Sequence, residues 1–160
     1  MAEKPVLLKA AQVQALHEQV RPHPLDASRV RHTRSLGDAV GFTAIGIHLV
    51  RLEKGATSSV RHFHHQDEEW VYVLSGRGVA EIGDEKHDIE AGDFLGFVAG
   101  SPAHCLRNAG AEDLVFLVGG NRPPFDVCDY PQIGKRRYRI NGKSVFVDAD
   151  VLAKAGEKVG

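Results

Sequence analysis

The chain has 160 residues, twenty basic against twenty-one acidic, for a formal net charge of −1. That length suits one domain with a proper core and is short for two. The balanced charge, with no long run of either sign, speaks against nucleic acid and anionic membrane surfaces as partners. Two cysteines, Cys105 and Cys128, stand in no metal-type spacing and make no disulfide framework. No apolar run approaches the ~20 residues that cross a bilayer. The opening MAEKPVLLKAAQVQAL carries Glu3 early and breaks its apolar run at Lys9 and Gln12, a poor signal peptide. A cytoplasmic protein is expected.

Val6 to Glu18 is rich in Ala, Leu, Gln and Glu and predicts a short helix, ended by Pro22 and Pro24. Val30 to Gly41 reads mostly as loop with an edge strand, and Phe42 to Leu52 as a strand closing at the turn Glu53-Lys54-Gly55. Further strands are expected at Trp70–Leu74, Val79–Ile82, Lys86–Ile89, Phe94–Val98, His104–Arg107 and Leu114–Val118, separated by glycine-bearing turns. Strands at this spacing are the signature of an antiparallel sandwich or barrel. Past Gly119-Gly120, Asn121 to Lys135 reads as an irregular wrap. Arg137–Ile140 and Lys143–Val147 form a hairpin about Asn141-Gly142, a pair suited to a type I′ turn. Residues 148–160 read as a weak helix or a frayed tail.

The chemistry concentrates between Gly55 and Gly76, in GATSSVRHFHHQDEEWVYVLSG. His62 and His64 are two apart, so an extended strand sends both imidazoles to one face and Phe63 and His65 to the other. His65 to Glu68 form a polar turn, and if the strand behind it pairs with the histidine strand, Glu69 falls beside both imidazoles. Two neutral imidazoles and a carboxylate on a rigid sheet suit a first-row divalent cation with open coordination positions. A fourth candidate, His104, follows the loop in GDFLGFVAGSPAHCLRN.

Together these stretches resemble the paired motifs of the cupin superfamily. Gly55, His62, His64, Glu69 and Gly76 match the first motif; Gly92, Gly100, His104 and Asn108 match the second. One extra residue separates Gly100 from His104, and the preserved spacing to Asn108 assigns that insertion to the loop. The resemblance implies an all-β double-stranded β-helix, a jelly-roll barrel with a short N-terminal helix. It divides the chain into an N-terminal helix and arm (1–40), the barrel with its C-terminal wrap (41–147) and a tail (148–160). It also implies one divalent metal ion, Mn, Fe, Zn or Ni, held by His62, His64, Glu69 and His104. The tail GGNRPPFDVCDYPQIGKRRYRING is similar to that of a group of small bacterial cupins, some of them labelled sugar-phosphate isomerases. A small-molecule enzyme of that kind is expected; a metal-dependent dioxygenase and a non-catalytic ligand-binding or sensor barrel are the alternatives.

The remaining candidates carry plainer readings. His65 and Cys105 point away from the site, His48 is a core or rim residue in phase with Val50 and Leu52, and Asn108 braces its turn. Arg51 and Arg61 are solvated cations or anion contacts, and Phe94 and Phe97 are core. Trp70, Tyr72 and Leu74 form a second apolar face that the N-terminal arm or a partner subunit must cover; the resemblance favours a homodimer.

Overall fold

A computed structural model describes residues 4–150, which are mostly strand. A single-turn helix α1 (Ala10–Ala15) precedes β1 (Gln19–His23) and β2 (Asp26–Ser35); a second short helix α2 (Leu36–Val40) leads into β3 (Ile45–Leu52). Next come β4 (Phe63–His64), β5 (Glu69–Ser75), β6 (Arg77–Ile82), β7 (Glu85–Glu90), β8 (Phe94–Phe97) and β9 (His104–Arg107). The long β10 (Leu114–Asn121), then β11 (Phe125–Tyr130), β12 (Lys135–Ile140) and β13 (Lys143–Asp148) complete the described chain. All pairings are antiparallel. One sheet runs β1-β2-β3-β10-β5-β8, a second β13-β12-β11-β4, a third β7-β6-β9.

The inner face of the large sheet is laid out in register. Leu52 faces Leu114, Val50 and Val73 flank Phe116, His48 and Val71 flank Val118, and Gly46 and Glu69 flank Gly120. The apolar layers pack on Ala80, Ile89 and Leu106 of the three-stranded sheet to form the core, with Leu52, Val50, Val73 and Leu114 wholly buried. Along this face the side chains pass from large aliphatics to glycine, histidine and glutamate. That polar end is where a site can open without breaking the core.

Several expectations change. The edge strand within 30–41 belongs to a full hairpin, β1–β2, which shows no alternation because none of its residues is buried and its exposed positions mix Val20, Arg21, Pro22, Ala27, Ser28 and Arg31, and it admits Pro22 because β1 is a sheet edge. The helix expected over 6–18 is confined to Ala10–Ala15. The segment 121–135 is not an irregular wrap: β11 lies within it and joins β4 to β12. The glycine pair 119–120 lies inside β10, where a Cβ on Gly119 would stand 2.4 Å from the Trp70 ring and one on Gly120 2.2 Å from the Glu68 carbonyl oxygen. The β12–β13 hairpin turns at Asn141 and Gly142, both at positive φ (48° and 78°), as a type I′ turn requires. The arm does not cover the outer face, since Tyr72, Leu74 and Phe94 stay 41%, 43% and 65% exposed; Phe94 is therefore not core. Of the expected tail, residues 151–160 lie outside the described residues.

Candidate metal centre

β4 pairs with β11, through His64 opposite Cys128, and not with β5. Glu69 therefore reaches the histidines from another sheet and not, as expected, from a strand paired with theirs. His62 is held by two backbone bonds with His104, 3.2 and 2.9 Å, which bring the second motif directly against the first. The inserted residue is taken up in the loop before β9, and His104 points inward, 1% exposed.

The donors of His62, Glu69 and His104 lie within 4.8 Å of one another. His104 Nε2 is 3.6 Å from one Glu69 oxygen and His64 Nε2 4.0 Å from the other. Each imidazole has its Nδ1 against an acceptor: Val60 O for His62 (3.0 Å), the Asp126 carboxylate for His64 (2.7 Å) and Pro102 O for His104 (3.2 Å). A carbonyl or carboxylate can only accept, so each Nδ1 carries a proton, and in the neutral ring it is Nε2 that offers the lone pair. Phe97, stacked on His104 at 3.5 Å and 4°, fixes that ring in plane.

Burial pushes the His62 imidazole down to about 3. Burial alone would raise Glu69, but the neighbouring His104, His62 and His64 hold it at about 2. A neutral His62 beside an ionised Glu69 is the protonation state that a metal needs. Among the described residues His104 Nε2 is buried with no hydrogen-bond partner, an orphan that a cation in the centre would satisfy. Cys128 also neighbours His62 and His64, and burial lifts its thiol to about 12, so at neutral pH it is protonated until a cation displaces the proton. Asp67 and Asp126 flank the protonated edge of His64, and both are engaged elsewhere, by Arg139 and by two backbone amides.

The centre sits in a chamber of about 140 Å³ walled by Val71, Leu106, Phe116 and Val118. Outside it lies a cavity of about 650 Å³, a size suited to a small molecule. Six residues lining that cavity are arginines and four are carboxylates, a local cationic excess in a chain of net charge −1.

The two arginines considered from sequence lie elsewhere: Arg51 pairs with Glu18 and Asp113, and Arg61 approaches Glu81. His65 bonds Asp129 outside the centre, Cys105 is buried near Glu81, and Asn108 ties Leu52 O to Glu112 O from a fully buried position. His48 lines the cavity rim. Sequence reasoning missed Asp126, Arg31 and Arg137, all in segments read as loop or hairpin. The alternation in FDVCDY, with Asp126 and Cys128 in phase, is the signal that could have marked β11.

A family model described as a cupin domain matches residues 48–120. A solved structure from Acidithiobacillus ferrooxidans, provisionally named a sugar phosphate isomerase, is 42% identical over 96% of each chain, TM-score 0.86. A Silicibacter pomeroyi structure, named a sugar phosphate isomerase from a cupin superfamily, is 34% identical over 84% of this chain and 87% of its own, TM-score 0.76. An uncharacterized Methanocaldococcus jannaschii protein is 28% identical over 47% of this chain, which spans about half (52%) of that relative.

Proposed function

We propose, from the premise that this chain belongs to the cupin superfamily, that it is a metal-dependent enzyme of sugar-phosphate isomerase type. The supporting observation is the convergence of His62, Glu69 and His104 within 4.8 Å of one another, with His64 Nε2 4.0 Å from the second Glu69 oxygen and the His104 Nε2 without a hydrogen-bond partner among the described residues. In this reading His62, His64, Glu69 and His104 hold one divalent ion, Mn, Fe, Zn or Ni. Such an ion, when bound, polarises a carbonyl or hydroxyl oxygen as a Lewis acid. The cavity's arginines attract an anionic substrate, and the aliphatic chamber wall keeps bulk water from the reacting carbons. His48, one layer along the inner face from Glu69 and with a buried Nδ1 that has no partner, is the group we assign to proton movement.

Oxygen-dependent cleavage on iron is the second reading. The aliphatic chamber supports it, but it gives no role to the cationic cavity. A ligand-binding barrel without turnover shares the geometry and is separated by assay. We further propose that the sheets close as a barrel over 41–147 with 1–40 as an added arm, and that a second copy covers Tyr72, Leu74 and Phe94; a monomer mass at micromolar protein would remove the dimer. Among the described residues no helix is long and apolar enough to cross a membrane.

The test is elemental analysis of the untagged protein beside a His62→Ala, His64→Ala variant, followed by a sugar-phosphate screen. The expected result is about one metal equivalent, lost in the variant. A protein metal-free even after reconstitution would refute the metal reading.

A further inference from the structure

The arginines of the outer cavity are not equivalent. Arg29 is paired with Asp26 at 2.7 Å and donates to Ser59 O, Arg122 is paired with Asp38 at 2.7 Å, and Arg139 with Asp67 at 2.7 Å. Arg21 and Arg31 form no ion pair among the described residues, yet they sit directly opposite each other across the β1–β2 ladder, on one face. Like charges so placed destabilise a strand pair. Arg137 of β12 lines the same cavity from another sheet; its Nε is buried with no partner among the described residues, and one terminal nitrogen reaches Asp126 only at 3.4 Å. Arg31 and Arg137 also line the inner chamber with the three histidines.

Arg31 and Arg137 thus face both the space where an anion can enter and the space where the reacting carbons would lie. Burial and the nearby Arg31, Arg29 and Arg137 hold the His23 imidazole at about 4, so it adds no competing cation at neutral pH. One guanidinium without an ion pair among the described residues, Arg31, and a second, Arg137, whose single carboxylate contact is long and whose buried Nε–H is unsatisfied, make a site for a tetrahedral oxyanion.

We infer that Arg31 and Arg137, with Arg21 at the rim, form the subsite for the phosphate group of the substrate. The carbohydrate carbons then extend from that group toward Glu69. This rests on the metal-dependent sugar-phosphate reading and adds which end of the substrate is held, and by what.

The experiment is calorimetric titration of inorganic phosphate into the full chain, loaded with manganese, for the wild type, Arg31→Met, Arg31→Lys, Arg137→Lys and, as a control, Arg77→Met. Arg77 is 80% exposed and is paired with Glu90 away from the cavity. The Arg31 side chain makes no hydrogen bond among the described residues, so its substitution is expected to spare the fold; circular dichroism checks each variant. Arg31→Met is expected to weaken phosphate binding about tenfold or more, Arg137→Lys by several-fold through loss of the planar fork, and Arg77→Met not at all, with manganese content unchanged throughout. Phosphorus relaxation accelerated by manganese would place the bound phosphate beside the centre. No saturable phosphate binding by the wild type, or equal weakening in Arg31→Met and Arg77→Met, would overturn the inference. Phosphate binding that depends on Arg31 in a protein that takes up no metal would instead sustain the subsite and sink the metal reading, so the two failures are distinct.

Discussion

Replacing Asp126 with Asn removes one charge and almost no volume, yet it acts on the centre through a single proton. The Asp126 carboxylate is fully buried and accepts from His64 Nδ1, the amides of Gln66 and Asp67 (3.2 Å each) and Arg137. Burial would raise this carboxyl, but the His64 bond and those amides hold it at about 2. In Asp126→Asn the amide oxygen stays on the two backbone donors it already serves, turning the NH2 group toward His64. Facing a donor, His64 Nδ1 must accept, and its proton moves to Nε2, where it blocks the lone pair beside Glu69. Loss of such a carboxylate–imidazole brace costs about 10–100-fold in metal affinity, which is about 1.4–2.8 kcal/mol. The lost charge-assisted bond also lowers unfolding free energy by about 1.5–3 kcal/mol. Competition with a chelator of known affinity measures the first effect and denaturant unfolding of the metal-free protein the second. Metal affinity within twofold of wild type would refute the tautomer argument, whatever happened to stability.

Three further outcomes follow from the packing. Gly119→Ala forces a methyl against the Trp70 ring and costs about 1–3 kcal/mol; unchanged denaturant midpoint and tryptophan fluorescence would show that β5 yields freely. Asn108→Ala leaves the Leu52 and Glu112 carbonyls and the Gly110 amide without their side-chain partner and costs about 2–4 kcal/mol, read as a fall in melting temperature that Asn108→Asp does not repair. Burial and nearby arginines depress His23 from 6.5 to about 4, so between those values the unfolded chain binds a proton that the folded chain refuses. Its contribution is full above pH 6.5 and is lost as pH falls through 4. The stability–pH curve of His23→Gln should be flatter across that window, and identical curves would show that the arginines do not act on it.

The central strands were legible because each side obeys a simple period. Trp70–Leu74, Val79–Ile82 and Leu114–Val118 are β-branched or aromatic runs between glycine turns, and a strand with a buried face has no other good option. The His62, His64, Glu69 and His104 cluster was legible because alternation puts the first two on one face. Its third dimension was not: the residues that pair with His64 and Phe63 lie 64 and 66 positions on, at Cys128 and Asp129, and β4 chose β11. The flanking segments hid themselves for a physical reason. Where no residue of a strand is buried, as in Gln19–Ser35, or its start is crowded by Pro123 and Pro124, hydrophobic periodicity has nothing to report. Those same segments supply Arg31, Asp126 and Arg137, so the least readable parts of the sequence hold the groups that surround the candidate centre.

The bond between His64 and Asp126 joins two strands that meet late along the chain, and this couples occupancy of the centre to the order of the C-terminal third. A filled centre would clamp β4, and through Asp126 it would clamp β11 and the hairpin that continues from it. Chelation should therefore raise amide hydrogen exchange in 125–148 well before it touches the aliphatic layers around Phe116. The last strands would act as a gauge of metal loading, and a cell's proteases would meet the empty protein first at this end.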